Sequence, residues 1–282
     1  MYEKEIIFLG AKQSGFLALK EIIKRKIKVV LVIVKDNNDS IKLISFAKKN
    51  NLKILKVNSL KNLKIYTLIR KLNIVTAISV SFPLILPLKF LKLFKNGVFN
   101  VHYADLPFYR GLYPTIRPII NLERYAYITV HKMDRGIDSG PILLKHRIII
   151  KKKHTGWSLY QDMVNKIPTI INSSLKKIFS KNKEFFLNDE KLSNYYNSIP
   201  NDGVINWSWD GKYIINFIRA LSNKDDTGAI GKIGDKKLYI KEAIFKKIKI
   251  KKPFEEIQTN NRLFCFCKDG IIIIKKAFII DC

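Results

Sequence analysis

Acidic residues are scarce: 23 Asp and Glu stand against 52 Lys and Arg in 282 residues, a formal net charge of +29. Such an excess fits a phosphate-bearing partner, tRNA or a nucleotide. It fits equally well a compositional drift toward Lys and Ile, because the lysines are spread along the whole chain. An anionic partner is favoured, but its identity is not given by charge. Cysteine is scarcer still. Cys265 and Cys267 are two apart and Cys282 is last, which excludes a disulfide framework and fits a reduced cytoplasm. In a strand, Cys265 and Cys267 share a face, and ordinary packing accounts for them. The four histidines form no cluster with Cys or Asp at metal-ligand spacing, so no metal is expected.

Long apolar runs are lacking too. The longest, residues 74–88, carries Pro83 and Pro87 and is short for a membrane span. The start, Met-Tyr-Glu-Lys-Glu, has neither a basic n-region nor an apolar h-region. No secretory signal is expected, and a cytoplasmic location is. The turn at residues 10–15 is no P-loop, since Phe16 stands where Lys is required, and it lacks the dinucleotide-binding spacing. No internal repeat is evident.

What is present is a globular composition, 47% apolar, in a chain long enough for one large or two medium domains. Strands are predicted at residues 5–10, 28–34, 53–57, 74–81 and 98–101. Helices are predicted at 16–26, 40–49, 60–72 and 88–94, with a turn at 10–15 before the first. This alternation predicts an α/β class, Rossmann-like, parallel-rich sheet that binds ligands at the carboxyl ends of its strands. A short helix at 118–122, strands at 127–132 and 142–150, and an amphipathic helix from 157 past Pro168 towards Phe179 follow. Residues 181–205 are polar and read as a linker between a domain at 1–180 and a smaller one at 206–282. The latter holds a helix at 213–221 and short strands at 229–233, 237–245, 262–267 and 270–275, which suggest a small β-barrel.

The chain is organised around residues 100–140. Residues 100–111 read Asn-Val-His-Tyr-Ala-Asp-Leu-Pro-Phe-Tyr-Arg-Gly, and 130–140 read Val-His-Lys-Met-Asp-Arg-Gly-Ile-Asp-Ser-Gly. In an extended chain Asn100 and His102 point the same way, so an amide and an imidazole emerge together at one strand end. Asp138 sits between Gly136 and Gly140, which let backbone come close to a ligand. An amide, an imidazole and a carboxylate suit acyl transfer. His102 moves a proton, Asn100 donates to a developing oxyanion, and Asp138 holds the charge and orientation of the imidazole. Each also has an ordinary reading, as a surface or core histidine or a turn aspartate.

These motifs resemble the formyltransferase family that takes a formyl group from 10-formyltetrahydrofolate. Its signature is an Asn-x-His strand end, a Leu-Pro-x-(Tyr/Trp)-Arg-Gly loop, and a later Asp in a Gly-x-Asp-x-Gly turn. All three parts are here in order, and the resemblance extends more weakly over nearly the whole chain. It includes an Asp-Gly-x-Ile-(Asp/Asn)-Trp-Ser junction beginning at Asp202. The resemblance implies the formyltransferase fold followed by an OB-like domain, and a folate-dependent N-formyltransferase acting on a primary amine. It implies that Asn100 and a protonated His102 stabilise the oxyanion while Asp138 supports the imidazole. The pterin of the folate is expected against Leu84, Ile85 and Leu86 and against Asp134, Arg135, Gly136 and Ile137. Tyr103, Arg110 and Tyr113 are candidate acceptor contacts, although Arg110 also reads as a brace for its loop and the tyrosines as local packing. His131 reads as structural, and His146 and His154 show no partner pattern.

Two acceptors compete. The second domain and the basic charge favour methionyl-tRNA. Against it, residues 34–40 pass straight to a helix where tRNA enzymes usually carry a longer basic insertion. Leu112 and Tyr113 also follow Arg-Gly where those enzymes have small residues. Sugar enzymes of the lipid A pathway often place Arg at the Leu112 position. The run His-Tyr-Ala-Asp-Leu departs from the commoner His-x-Ser-Leu-Leu, which implies an acceptor pocket of different shape. The compact second domain favours a nucleotide-linked amino sugar. An RNA-binding protein on a decayed transferase scaffold is the non-enzyme alternative, against which the intact Asn100, His102 and Asp138 stand.

Overall fold

The computed structural model describes residues 4–225, 227–233, 236–248, 256–259 and 262–280. Cys282 and the first three residues, on which parts of the cysteine and signal expectations rest, lie outside the described residues. The chain divides into two compact units. One comprises Met1–Arg110, Tyr127–Arg147 and Met163–Tyr195, the other Gly111–Ala126, Ile148–Asp162 and Tyr196–Cys282.

The elements in chain order begin with β1 (Glu5–Gly10), α1 (Lys12–Lys24), β2 (Lys28–Lys35), α2 (Ile41–Lys49), β3 (Ile54–Val57), α3 (Leu63–Leu72), β4 (Thr76–Val80), α4 (Leu88–Leu91) and β5 (Gly97–His102). They continue with β6 (Arg110–Gly111), α5 (Arg117–Ile120), β7 (Tyr125–Lys132), β8 (Ile142–Ile149) and α6 (Gly156–Ile178). The large sheet has the order β3-β2-β1-β4-β5-β7-β8. Its first five strands are parallel, and β7 then runs antiparallel to β5. All five residues of β4 are buried, as the near-continuous apolar runs of a sheet covered on both faces require. One face carries a cluster in which Leu9, Ile33, Ile65, Ile69 and Phe90 are buried together. Each such side chain stabilises the fold by about 1.5–3 kcal/mol.

The first loop departs from the sequence expectation. Instead of a turn over 10–15, α1 starts at Lys12, directly after β1. Gly15 is a packing residue of the helix. A Cβ there would lie 3.3 Å from the Gly10 carbonyl carbon and 3.4 Å from the Val80 carbonyl oxygen. The missing side chain lets α1 sit against the ends of β1 and β4, where Ser14 Oγ and Ser81 Oγ are 2.8 Å apart. Glycine therefore marks close approach here, not a break.

The second unit is built on α7 and β10 to β14. After β9 (Tyr195–Tyr196) come α7 (Gly211–Leu221), β10 (Ala229–Ile233), β11 (Lys236–Lys247), β12 (Glu256–Thr259), β13 (Arg262–Cys267) and β14 (Gly270–Ile279). Five of these strands form an antiparallel sheet in the order β10-β11-β14-β13-β12. Irregular register between Ile240 and Ala243 curls it, giving the expected OB-like module. The apolar face of α7 buries Ile214, Phe217 and Ile218, and Gly211 leaves room for the Phe245 ring. Cys265 and Cys267 are both buried on β13, and burial pushes the Cys267 thiol above its ordinary pKa.

Position 15 offers a test of the packing. Gly15→Val should lower unfolding free energy in urea by about 1–3 kcal/mol through overpacking. Gly15→Ala should cost much less, because the gain in helix propensity of about 1 kcal/mol opposes the tight contact. Equal costs for both would show that position 15 does not pack as described.

Candidate active site

The antiparallel pairing of β5 with β7 builds this site. Its register sets Asn100 opposite His131 and His102 opposite Thr129, so Asn100, His102 and His131 share one face. Asn100 Nδ2 and His131 Nε2 are 3.3 Å apart. Beyond His102 the chain is pinned by buried Thr129, whose Oγ1 donates to the Ala104 carbonyl at 2.6 Å. The following loop turns at Tyr109, which has a left-handed φ of 57°. Its carbonyl oxygen sits 3.1 Å from His102 Nε2.

That contact sets the tautomer of His102. A carbonyl can only accept, so Nε2 carries the proton and Nδ1 carries the lone pair. Nδ1 lies 3.6 Å from Asp138 Oδ2, placing the basic nitrogen beside a carboxylate. Burial, the largest influence, holds the imidazole below the ordinary histidine pKa of 6.5. Asp138 opposes that shift, His131 adds to it, and the Tyr109 carbonyl opposes it. The resting imidazole is accordingly neutral at pH 7, whereas the resemblance implies a protonated one. Once a proton reaches Nδ1, the carboxylate stabilises it.

Asp138 reaches both histidines, with Oδ1 3.5 Å from His131 Nε2. Its own backbone is left-handed, φ 52°, a conformation Asp tolerates better than most residues. The flanking glycines also serve the packing of the loop itself. A Cβ on Gly136 would fall on Ser139 Oγ, and one on Gly140 on the Lys132 carbonyl oxygen. Both glycines let the loop close upon itself. Asp134 Oδ1 accepts from Gly136 N at 3.1 Å and from Ser139 Oγ at 2.6 Å, tightening the same turn. Asn188, 50 residues downstream, then donates from Nδ2 to the Asp138 and Gly140 carbonyls at 2.9 Å each.

The structure thus brings Asn100, His102 and Asp138 together, with His131 added. His131 is only 1% exposed and lies on the predicted strand. The signal that marks it is an imidazole within the apolar run Tyr-Ile-Thr-Val-His. Arg110 donates from Nε to the Ile137 carbonyl at 2.7 Å and from Nη1 to Ser193 Oγ at 3.1 Å. Its guanidinium braces the Asp138 loop. Tyr103 is buried, and Tyr113 belongs to the second unit, where it is exposed. Leu84 and Leu86 pack into or against the core cluster while Ile85 is 80% exposed, leaving the 84–86 backbone after β4. Asp134, Arg135, Gly136 and Ile137 are all exposed. His154, without a partner in sequence terms, has one in the second unit: its Nε2 is 3.2 Å from Asp162 Oδ2. Its Nδ1 accepts the Lys151 N–H at 3.1 Å, so this pair caps a turn and offers no free base. Among the described residues no group of three or more His, Cys, Asp or Glu is arranged to hold a metal ion, and no helix is long and apolar enough to cross a membrane.

Comparison with known proteins bears on this geometry. Residues 5–174 match the family described as Formyl transferase, and residues 197–279 match Formyl transferase, C-terminal domain. The chain is 32% identical over 286 residues to the bifunctional polymyxin resistance protein ArnA of Wigglesworthia glossinidia brevipalpis. That match covers 99% of this chain but 43% of the relative, so the chain spans less than half of that protein's length. It is 27% identical over 293 residues to the methionyl-tRNA formyltransferase of Malacoplasma penetrans, covering 98% of this chain and 86% of the relative. In fold it is similar to an N-formyltransferase from Helicobacter canadensis solved with folinic acid and dTDP-3-aminofucose. The TM-score is 0.74, with 23% identity and 98% and 99% of the two chains covered.

The electrostatics of the cluster can be read directly by NMR. His102 should titrate below pH 6.5. Asp138→Asn removes the influence that raises the imidazole, so its midpoint should move lower still. A midpoint at or above the ordinary value, or an upward shift in Asp138→Asn, would contradict the burial and the pairing described.

Proposed function

This chain belongs to the formyl transferase family, and from that membership we propose that it moves a formyl group from 10-formyltetrahydrofolate to the primary amine of a nucleotide-linked amino sugar. The observation that carries the reaction is the convergence of Asn100 and His102 at the end of β5 with Asp138 from the loop after β7, the basic nitrogen of His102 being turned to the carboxylate. The folate supplies an activated formyl carbon. Asn100 donates an amide N–H to the formyl oxygen as it gains negative charge. His102 Nδ1 accepts a proton from the attacking amine as the new C–N bond forms, with Asp138 stabilising the imidazolium. The same proton then goes to the departing nitrogen as the old C–N bond breaks, returning His102 to its neutral state. The 84–86 backbone and the exposed turn at Asp134, Arg135, Gly136 and Ile137 offer amide groups to the pterin.

Two observations support the sugar acceptor. In fold the chain is similar to a solved N-formyltransferase whose complex holds a dTDP-amino sugar, with a TM-score of 0.74. The connection from β2 to α2 is also short, running only from Lys35 to Ile41. Methionyl-tRNA is the second reading, favoured by the net charge of +29 and by that relative's match to 98% of this chain. A cytoplasmic location goes with either acceptor.

The test follows tetrahydrofolate release from 10-formyltetrahydrofolate with UDP-, GDP- and dTDP-amino sugars and with charged methionyl-tRNA. Turnover with a sugar nucleotide is expected. Asn100→Ala and His102→Ala should each lower kcat by about 10²- to 10³-fold or more. Turnover with the tRNA alone would overturn the acceptor, and absence of folate binding would overturn the reaction.

A further inference from the structure

The contact between Asn100 and His131 depends on where the His131 proton sits, and that choice gives His131 a role. Asn100 Nδ2 and His131 Nε2 are 3.3 Å apart. If Nδ2 donates, His131 must carry its proton on Nδ1. Nδ1 is buried and has no hydrogen-bond partner among the described residues, so an N–H there would be stranded without an acceptor. The bare lone pair of Nε2 would also face Asp138 Oδ1 at 3.5 Å. The repulsion vanishes, and a stranded N–H gives way to the milder case of an unpaired Nδ1 lone pair, when the proton sits on Nε2 and the Asn100 amide is turned by half a rotation about χ2, which exchanges its oxygen and nitrogen at nearly no change in shape. Nε2–H then donates to Asn100 Oδ1 and also faces the Asp138 carboxylate. The NH2 of Asn100 is left pointing away from His131, on the face of β5 that it shares with His102.

We propose that His131 is a positioning residue that locks the Asn100 carboxamide with its NH2 directed to the formyl oxygen. The proposal rests on the formyl-transfer reading of this site. An amide free to turn would present its oxygen, a second negative dipole, to the developing oxyanion part of the time. His131 removes that orientation without touching substrate. Three features over-determine its own placement: the β5/β7 register, a side chain 1% exposed, and the carboxylate of Asp138. A rigid support of this kind is what a preorganised donor needs.

The test combines kinetics with a readout that needs no turnover. His131→Leu keeps bulk without a donor, and His131→Gln keeps an N–H that can reach Asn100 Oδ1. His131→Leu is expected to lower kcat by about 10- to 100-fold, less than full loss of an oxyanion donor, with KM for the folate nearly unchanged. His131→Gln should recover much of that loss. Adding His131→Leu to Asn100→Ala should cost nothing further, since the residues act as one unit. Multiplicative losses in the double variant would overturn the proposal. In the wild-type protein, nitrogen-15 spectra should place the His131 proton on Nε2, and a proton on Nδ1 would overturn it even if the enzyme is active. An Nε2 proton in a protein that formylates no amine would uphold the orientation and sink the reaction reading instead.

Discussion

The register of β5 against β7 is the constraint on which the site depends. Five parallel strands deliver Asn100 and His102 to one edge of their common end, and an antiparallel partner then returns His131 to the same place. Side-chain direction alternates along a strand, so a slip of one residue would turn His131 away and bring Val130 or Lys132 opposite Asn100. Two polar contacts hold the register where the strands end, the buried Thr129 Oγ1 to the Ala104 carbonyl at 2.6 Å and Met133 N to the Val98 carbonyl at 2.7 Å. Buried polar groups gain little by pairing and lose much when unpaired. These contacts therefore act more by excluding other registers than by adding stability.

What was legible in the sequence was local. The spacing of Asn100 and His102 states that they share a face, and the apolar alternation of strands and helices states where that face lies in the sheet. The aspartate in its glycine-flanked turn was legible as a candidate too. What escaped was non-local or depended on backbone handedness. His131 is separated from Asn100 by 31 positions, and only an antiparallel return can make them neighbours. Asn188 lies in a stretch whose polar composition suggests a connector, yet it holds two carbonyls of the Asp138 turn. Glycine is an uneven guide here: Gly15, Gly136 and Gly140 serve close approach, while two left-handed positions at the site fall on Tyr109 and Asp138.

Residues 181–195 show how the site is closed from behind. Phe186 exchanges backbone hydrogen bonds with Ile142 at 2.8 and 2.9 Å, extending the sheet by one bridge at β8. Ser193 then receives the Arg110 guanidinium, and the Asn194 carbonyl accepts from Arg110 N at 3.0 Å. Arg110 thereby ties the loop after β5 to the loop after β7, through Ile137, and both loops to this returning segment. An arginine used this way has two of its five side-chain donors committed within the protein, where they join the two loops.

The backbone of Asp138 shows why so much support converges there. A left-handed conformation on a residue with a Cβ costs about 1 kcal/mol or more, and loops on a surface are free to relax. The conformation persists because relaxing it would break several contacts at once. Two bonds from the Asn188 amide offset the strain at about 1 kcal/mol each, and the Asp134 carboxylate and the Arg110 brace close the remaining ways out. The outcome is a carboxylate held within 3.6 Å of both histidines. A freely hydrated aspartate turns its charge to water; one held there by its own backbone keeps it facing the two imidazoles.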